Sequence, residues 1–324
     1  MMDRDLAGAK ARPLVRWQAR MACGLLALVI TAAADPVIER VRLPDGRALA
    51  FRCAGRGLPI VLLEGGWGAS SLAWSKVQRL VATTTRVCSY DRAGMGASDP
   101  GPTPRDGTAI ARDLDEALHA AEIAGPFVVV GHSTGGLYVR LFADRRPSDV
   151  VGMVLVDPSV EYQDRRLAAV FGPGAGSTAG LRARTAACLA AAAAHALPAA
   201  DPKLTKCATA TPAATWATEV AELDSLWTAT SDEVAAGRAH YGALPLVVLT
   251  AGDTNAALPV AARRVSDRVW AGLHDEVAEH SSIGVRQTVA GTGHLMPKDR
   301  PDAVATAIAD VIKAGRRASA SDRP

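Results

Sequence analysis

Residues 126–136 read Pro126-Phe127-Val128-Val129-Val130-Gly131-His132-Ser133-Thr134-Gly135-Gly136, and Leu137-Tyr138-Val139-Arg140-Leu141-Phe142 follows. The apolar run predicts a buried strand, and Leu137 onward predicts the start of a helix. Between them stands G-x-S-x-G in the strand–turn–helix setting that gives this pattern its meaning. A serine on so sharp a turn is held in a strained backbone conformation. Side chains at the flanking positions would clash, so glycine there leaves the Ser133 Oγ standing clear of the sheet.

Working outward, strand-like runs end in turn-rich loops on both sides of this segment. Val37–Leu43, a Pro44-Asp45-Gly46-Arg47 turn and Arg47–Cys53 predict a β-hairpin. Pro59–Leu63 predicts a buried strand leading into Glu64-Gly65-Gly66-Trp67-Gly68. Leu72–Val81 predicts a helix, and Arg86–Tyr90 a strand ending in Asp91-Arg92-Ala93-Gly94-Met95-Gly96-Ala97-Ser98. Thr108–Ala121 carries apolar residues at helical spacing. Val150–Val156 is a strand closing at Asp157-Pro158. Pro245–Thr250 is another, closing at Ala251-Gly252-Asp253. A helix is expected over roughly 262–280, then a last strand at Gly284–Val289 running into Ala290-Gly291-Thr292-Gly293-His294, and a terminal helix from about Pro301 to Lys313. Alternating strands and helices argue for a mostly parallel sheet covered on both faces. The alternation stops between Ser159 and Arg238, an Ala- and Thr-rich stretch with no strand-like run, which reads as a helical insertion.

The N-terminus has its own signature. Arg12, Arg16 and Arg20 precede the apolar Met21–Ile30 and then Thr31-Ala32-Ala33-Ala34. A basic region, a short apolar region and small residues make a secretory leader, and the apolar stretch is too short to span a bilayer comfortably. The expectation is cleavage after Ala34 and a secreted or periplasmic protein with no stable membrane partner, the alternative being a retained anchor. Residues 1–34 hold five Lys/Arg and two Asp, which accounts for the whole formal charge of +3. With no dense Lys/Arg stripe and no basic–aromatic interleaving, a nucleic-acid partner is not expected. Of the five cysteines, Cys23 lies in the leader. The remaining Cys53, Cys88, Cys188 and Cys207 suggest two disulfides, with three possible pairings. No C-x-x-C or clustered His/Cys spacing points to a metal, and no cofactor is implied.

A serine hydroxyl needs a base within reach and a group to orient that base. His294 is the candidate base, in a glycine-flanked loop after the last strand. His119, His240, His274 and His280 fall in helical or irregular stretches, and His195 in the insertion. His132, next to Ser133, is expected to point elsewhere on the turn. Asp157, which ends the strand after the serine, is the favoured acid for the third place, with Asp253, which follows the next strand, the alternative. The position three past Gly252, where an acid is commoner, is Asn255. Both aspartates also fit as turn-formers. The oxyanion donors are expected at the backbone amide of Thr134 and at that of Gly66, with Trp67 the alternative. Glu64 opens this loop, either as a buried structural carboxylate or as a group that tunes the site.

Leu62-Leu63-Glu64-Gly65-Gly66, Tyr90 to Ser98, Gly131 to Gly136, Gly291-Thr292-Gly293-His294 and Asp299-Arg300-Pro301-Asp302-Ala303-Val304 together resemble the α/β-hydrolase superfamily, and they appear in its order. More narrowly, the chain is similar to a bacterial group of exported α/β hydrolases with Glu-Gly or Glu-Ala where many relatives have His-Gly. The resemblance implies an α/β-hydrolase fold with an eight-stranded, mostly parallel sheet flanked by helices. It implies a leader at 1–34, a core at 35–158 and 239–315, a helical cap at 159–238 and a flexible tail at 316–324. The family's sheet order sets the second strand beside the fourth, which implies Cys53–Cys88 and leaves Cys188–Cys207 within the cap. The implied activity is cleavage of a small-molecule carboxylic ester through an acyl-enzyme on Ser133. The rivals are a serine peptidase or amidase, a cofactor-free haloperoxidase, and a non-catalytic binding protein on the same fold. Epoxide hydrolases and dehalogenases of this fold resemble one another in an Asp nucleophile where Ser133 stands here. Trp216, Leu223, Leu226 and Trp227 of the cap are expected either to line an acyl pocket or to pack the cap onto the core.

Overall fold

The computed structural model describes residues 37–194, 207, 211–254 and 256–321. The leader, His195 and Asn255 lie outside the described residues. In chain order the strands are β1 (Ile38–Arg42), β2 (Ala48–Ala54), β3 (Ile60–Glu64), β4 (Val87–Asp91), β5 (Phe127–His132), β6 (Val150–Val156), β7 (Leu246–Ala251) and β8 (Val285–Val289). They form an eight-stranded sheet in the order β1-β2-β4-β3-β5-β6-β7-β8. Only β1–β2 and β2–β4 pair antiparallel; every later pair is parallel.

The helices are α1 (Ser75–Val81), α2 (Gly107–Ala120), α3 (Gly135–Arg145), α4 (Gln163–Phe171), α5 (Ala179–Ala193), α6 (Ala213–Leu226), α7 (Ala229–Ala236), α8 (Val260–Ala278), α9 (Met296–Asp299) and α10 (Pro301–Ser321). Four of them, α4 to α7, stand between β6 and β7, where the sequence pattern loses its strands.

Side chains alternate across a strand, and the central strands show what each face meets. Phe127 and Val129 of β5 join Leu62, Leu155 and Val248 in one core with α2, α3 and part of α8. Val128 and Val130 join Val61, Leu63, Val154 and Val156 in another, covered by α1 and α10. Both faces are buried, so the strands read as continuous apolar runs rather than as alternation. Truncating a side chain such as Phe127, which has 0% exposure, costs about 3–5 kcal/mol.

The segment expected as one helix from Leu72 starts instead as a 3-10 turn at Ser71–Trp74, and α1 follows. Its entry is tied down by the Ser71 amide, which donates to Asp91 Oδ1 at 2.6 Å. The terminal helix runs past Lys313 to Ser321. Residues 316–321 are Arg-Arg-Ala-Ser-Ala-Ser, with no proline to stop it. Both disulfides implied by the resemblance are present. Cys53–Cys88 joins directly opposed residues of β2 and β4. Cys188–Cys207 ties α5 to a residue 19 positions on. Closing loops of these sizes stabilises by on the order of 3 kcal/mol each.

Candidate active site

The C-terminal ends of β3, β5, β6 and β8 converge on one cavity, where open parallel sheets place their ligand sites. Ser133 follows β5 with φ +55°, in the left-handed region. The turn is too tight for side chains. A Cβ at Gly131 would lie 2.4 Å from the Gly135 carbonyl oxygen, and one at Gly135 would lie 2.6 Å from the Gly65 carbonyl oxygen. The Ser133 amide donates to Val156 O at 3.1 Å, and Ser159 donates to Ser133 O at 2.9 Å, which pins the turn between β5 and the end of β6.

His294 Nε2 lies 2.9 Å from Ser133 Oγ, and His294 Nδ1 lies 2.6 Å from Asp157 Oδ2. Asp157 is fully buried and has φ +42°. Its other oxygen, Oδ1, accepts from the Ala251 amide and from Trp270 Nε1, both at 3.0 Å. Burial pushes the Asp157 carboxyl up, but the His294 hydrogen bond and charge, with Trp270 and Ala251, outweigh it and hold the group below the usual carboxylate range. An ionised carboxylate only accepts, so the proton sits on His294 Nδ1 and Nε2 is left to accept from Ser133.

Of the two candidate acids, the structure therefore brings Asp157 to His294. Asp253 is exposed, and its amide donates to Thr292 O at 2.9 Å. A turn role accounts for it. Gly66, Trp67 and Thr134 all line the cavity beside Ser133. A Cβ at Gly66 would lie 3.0 Å from the Ser133 Cβ, so a side chain there would press on the serine. Glu64 is buried, pairs with Arg92 Nη1 at 2.7 Å and accepts from the Tyr90 hydroxyl. Burial pushes its carboxyl up even against the Arg92 charge.

Two site residues escape sequence reasoning. His132 does point away from Ser133, as expected, but it lands on the base: its Nε2 lies 2.7 Å from the His294 carbonyl, with ring centroids 4.8 Å apart. Burial, with His294 nearby, pushes the His132 imidazole down to about 4. Its neighbour position in the motif was the available signal. Trp270, on α8, left no signal, because its contact with Asp157 spans 113 residues and no motif.

The cavity measures about 810 Å³. Leu167, Phe171, Leu181, Leu223, Leu226 and Trp227 give it an apolar wall from the inserted helices. Leu223, Leu226 and Trp227 also belong to the core, so each both lines the cavity and packs the inserted helices onto the core. Trp216 is buried and does not line the cavity.

The chain belongs to the alpha/beta hydrolase family, whose profile matches residues 60–307. It is a hydrolase. Over 115 residues it is 38% identical to a protein of Hormonema carpetanum named "Probable transporter efuK", covering 34% of this chain and 16% of that one. Over 108 residues it is 35% identical to a pimeloyl-[acyl-carrier protein] methyl ester esterase of Chromobacterium violaceum, covering 33% of this chain and 40% of the esterase. The chain spans less than half the length of either. Among solved structures, a haloalkane dehalogenase loop variant from Bradyrhizobium elkanii superposes with a TM-score of 0.65 at 19% identity, covering 89% of this chain and 100% of the other.

Proposed function

We propose that this protein is a serine hydrolase that cleaves carboxylic esters of small molecules, with Ser133, His294 and Asp157 as its catalytic triad. The observation that carries the reading is the continuous chain Ser133 Oγ–His294 Nε2 and His294 Nδ1–Asp157 Oδ2, at 2.9 and 2.6 Å. His294 takes the Ser133 proton as Oγ attacks the ester carbonyl, and Asp157 stabilises the imidazolium that forms. The amides of Thr134 and Gly66, with Trp67 the alternative, are the oxyanion donors in this reading, and all three residues line the cavity beside Ser133. His294 then protonates the leaving alcohol. It next activates a water molecule that attacks the acyl-enzyme, and Ser133 is regenerated.

Serine rather than aspartate at position 133 favours an acyl-enzyme over the dehalogenase and epoxide hydrolase chemistries. The apolar wall supports an apolar acyl group, and the methyl ester esterase relative supports an ester. We read α4–α7 as a cap over the site. The two disulfides agree with an oxidising compartment and with the leader at residues 1–34.

The test is hydrolysis of a chain-length series of p-nitrophenyl esters, beside fluorophosphonate labelling. The expected result is hydrolysis by the wild type and a loss of about 10⁴-fold or more in Ser133→Ala. A labelled but inactive wild type would redirect the reading to amides or peptides. An unlabelled, inactive one would leave a binding protein on a hydrolase fold.

A further inference from the structure

Arg92 lies one residue past β4, is buried, and uses every donor it has. Nε donates to Glu222 Oε1 at 2.9 Å and Nη2 to Glu222 Oε2 at 3.0 Å, a bidentate pair. Nη1 donates to Glu64 Oε1 at 2.7 Å. The last two N–H groups reach backbone: Nη1 to Gly65 O at 2.8 Å, and Nη2 to Gly66 O at 2.9 Å. A guanidinium has five N–H donors in a rigid fork, and here all five are engaged.

The two backbone contacts matter because a trans peptide is planar, with its C=O and N–H on opposite sides. The Gly65 carbonyl shares its peptide unit with the Gly66 amide. The Gly66 carbonyl shares its unit with the Trp67 amide. Holding both carbonyls from one side turns both amides to the other, and Gly66 and Trp67 line the cavity beside Ser133. The far end of the fork is on a different element. Glu222 belongs to α6, which also receives the Trp67 indole, Nε1 donating to Glu219 O at 3.0 Å.

We propose that Arg92 is a positioning residue for the oxyanion donors, and that through Glu222 it makes their alignment depend on the seating of α6. The inserted helices then do more than wall the substrate: one of them holds the loop that stabilises the transition state. The inference rests on the acyl-transfer reading of Ser133.

The experiment follows the rate of Ser133 labelling by a fluorophosphonate, in full-length Arg92→Lys and Glu222→Gln. In that reaction the Oγ–P bond forms, the P–F bond breaks, fluoride leaves and the serine proton passes to His294, while the phosphoryl oxygen needs the same amides. Lysine keeps the charge but cannot hold both carbonyls and both carboxylates at once. Arg92→Lys is expected to slow labelling and lower kcat by about a hundredfold, the cost of a misplaced oxyanion donor. KM should hold within about threefold, and the midpoint of the pH–rate profile should not move, since the His294–Asp157 pair is untouched. Glu222→Gln, a milder change, is expected to show the same pattern at about tenfold.

Folded Arg92→Lys protein, verified by thermal melt, that labels at the wild-type rate would overturn the proposal. So would a loss in both variants that follows only the unfolded fraction. Such a result beside an active wild type would leave the serine hydrolase reading standing. A wild type that neither hydrolyses esters nor labels brings down both.

Discussion

Ser133 and Phe171 line the same cavity, and they are held in different ways. Around Ser133 each group is fixed by backbone: a positive φ, glycines with no room for a Cβ, and hydrogen bonds from β6 and β7. Phe171 ends α4, a helix with no buried residue, and is 43% exposed. The wall at the strand ends is over-determined, so one change in it has no substitute. The wall built by α4 and α5 is a set of apolar side chains whose sizes can vary while the fold persists. Within the inserted helices α6 differs from α4: it has seven buried residues, its Glu219 accepts from Trp67 in the loop after β3, and its Glu222 pairs with Arg92 after β4.

The comparison breaks most readily at Asp157. Asp157→Asn is expected to lower kcat by about 10³- to 10⁴-fold, because an amide orients the wrong imidazole tautomer. Asp253→Asn should stay within about twofold of wild type in the same ester assay. Equal losses would mean that the wall at the strand ends is not specific to Asp157.

A second effect is on acid stability and belongs to His132. Its folded value of about 4 lies below the unfolded value of about 6.5. Between these limits the unfolded chain binds a proton that the native state refuses, so stability is full above about pH 6.5 and falls as pH drops toward 4. The full span amounts to about 3 kcal/mol. His132→Gln keeps a donor for the His294 carbonyl and should flatten that slope in urea titrations at pH 7 and 4.5. Part of the slope should persist, because burial also pushes His274 and His280 down. An unchanged slope would mean that His132 is protonated in the fold.

The smallest effect is expected on the wall built by α4. Phe171→Ala should shift the preferred acyl chain length, changing the long-to-short kcat/KM ratio by about tenfold, with little change for the acetate ester. A loss equal for all chain lengths would show that α4 supports the chemistry, and the contrast between the walls would fall.

The serine turn, the order of strands and helices, and the His294 loop were legible in the sequence because each rests on local rules. A buried parallel strand is a run of Val, Leu and Ile; a turn with no room for Cβ atoms is written in glycines. Asp157 and Asp253 could be ranked that way but not decided. Both end strands, both favour turns, and only the pairing of β6 beside β5 and β7 carries one of them to His294. Trp270 and Glu222 were beyond local rules altogether, since their partners lie 113 and 130 residues away. Local sterics and periodicity are properties of neighbouring residues, so the layered α/β architecture and the candidate positions Ser133 and His294 could be read from the chain alone. The contacts of Asp157 with His294, and of Arg92 with Glu222 and the Gly65 and Gly66 carbonyls, are hydrogen bonds formed when distant segments meet, so they became visible only in the folded chain.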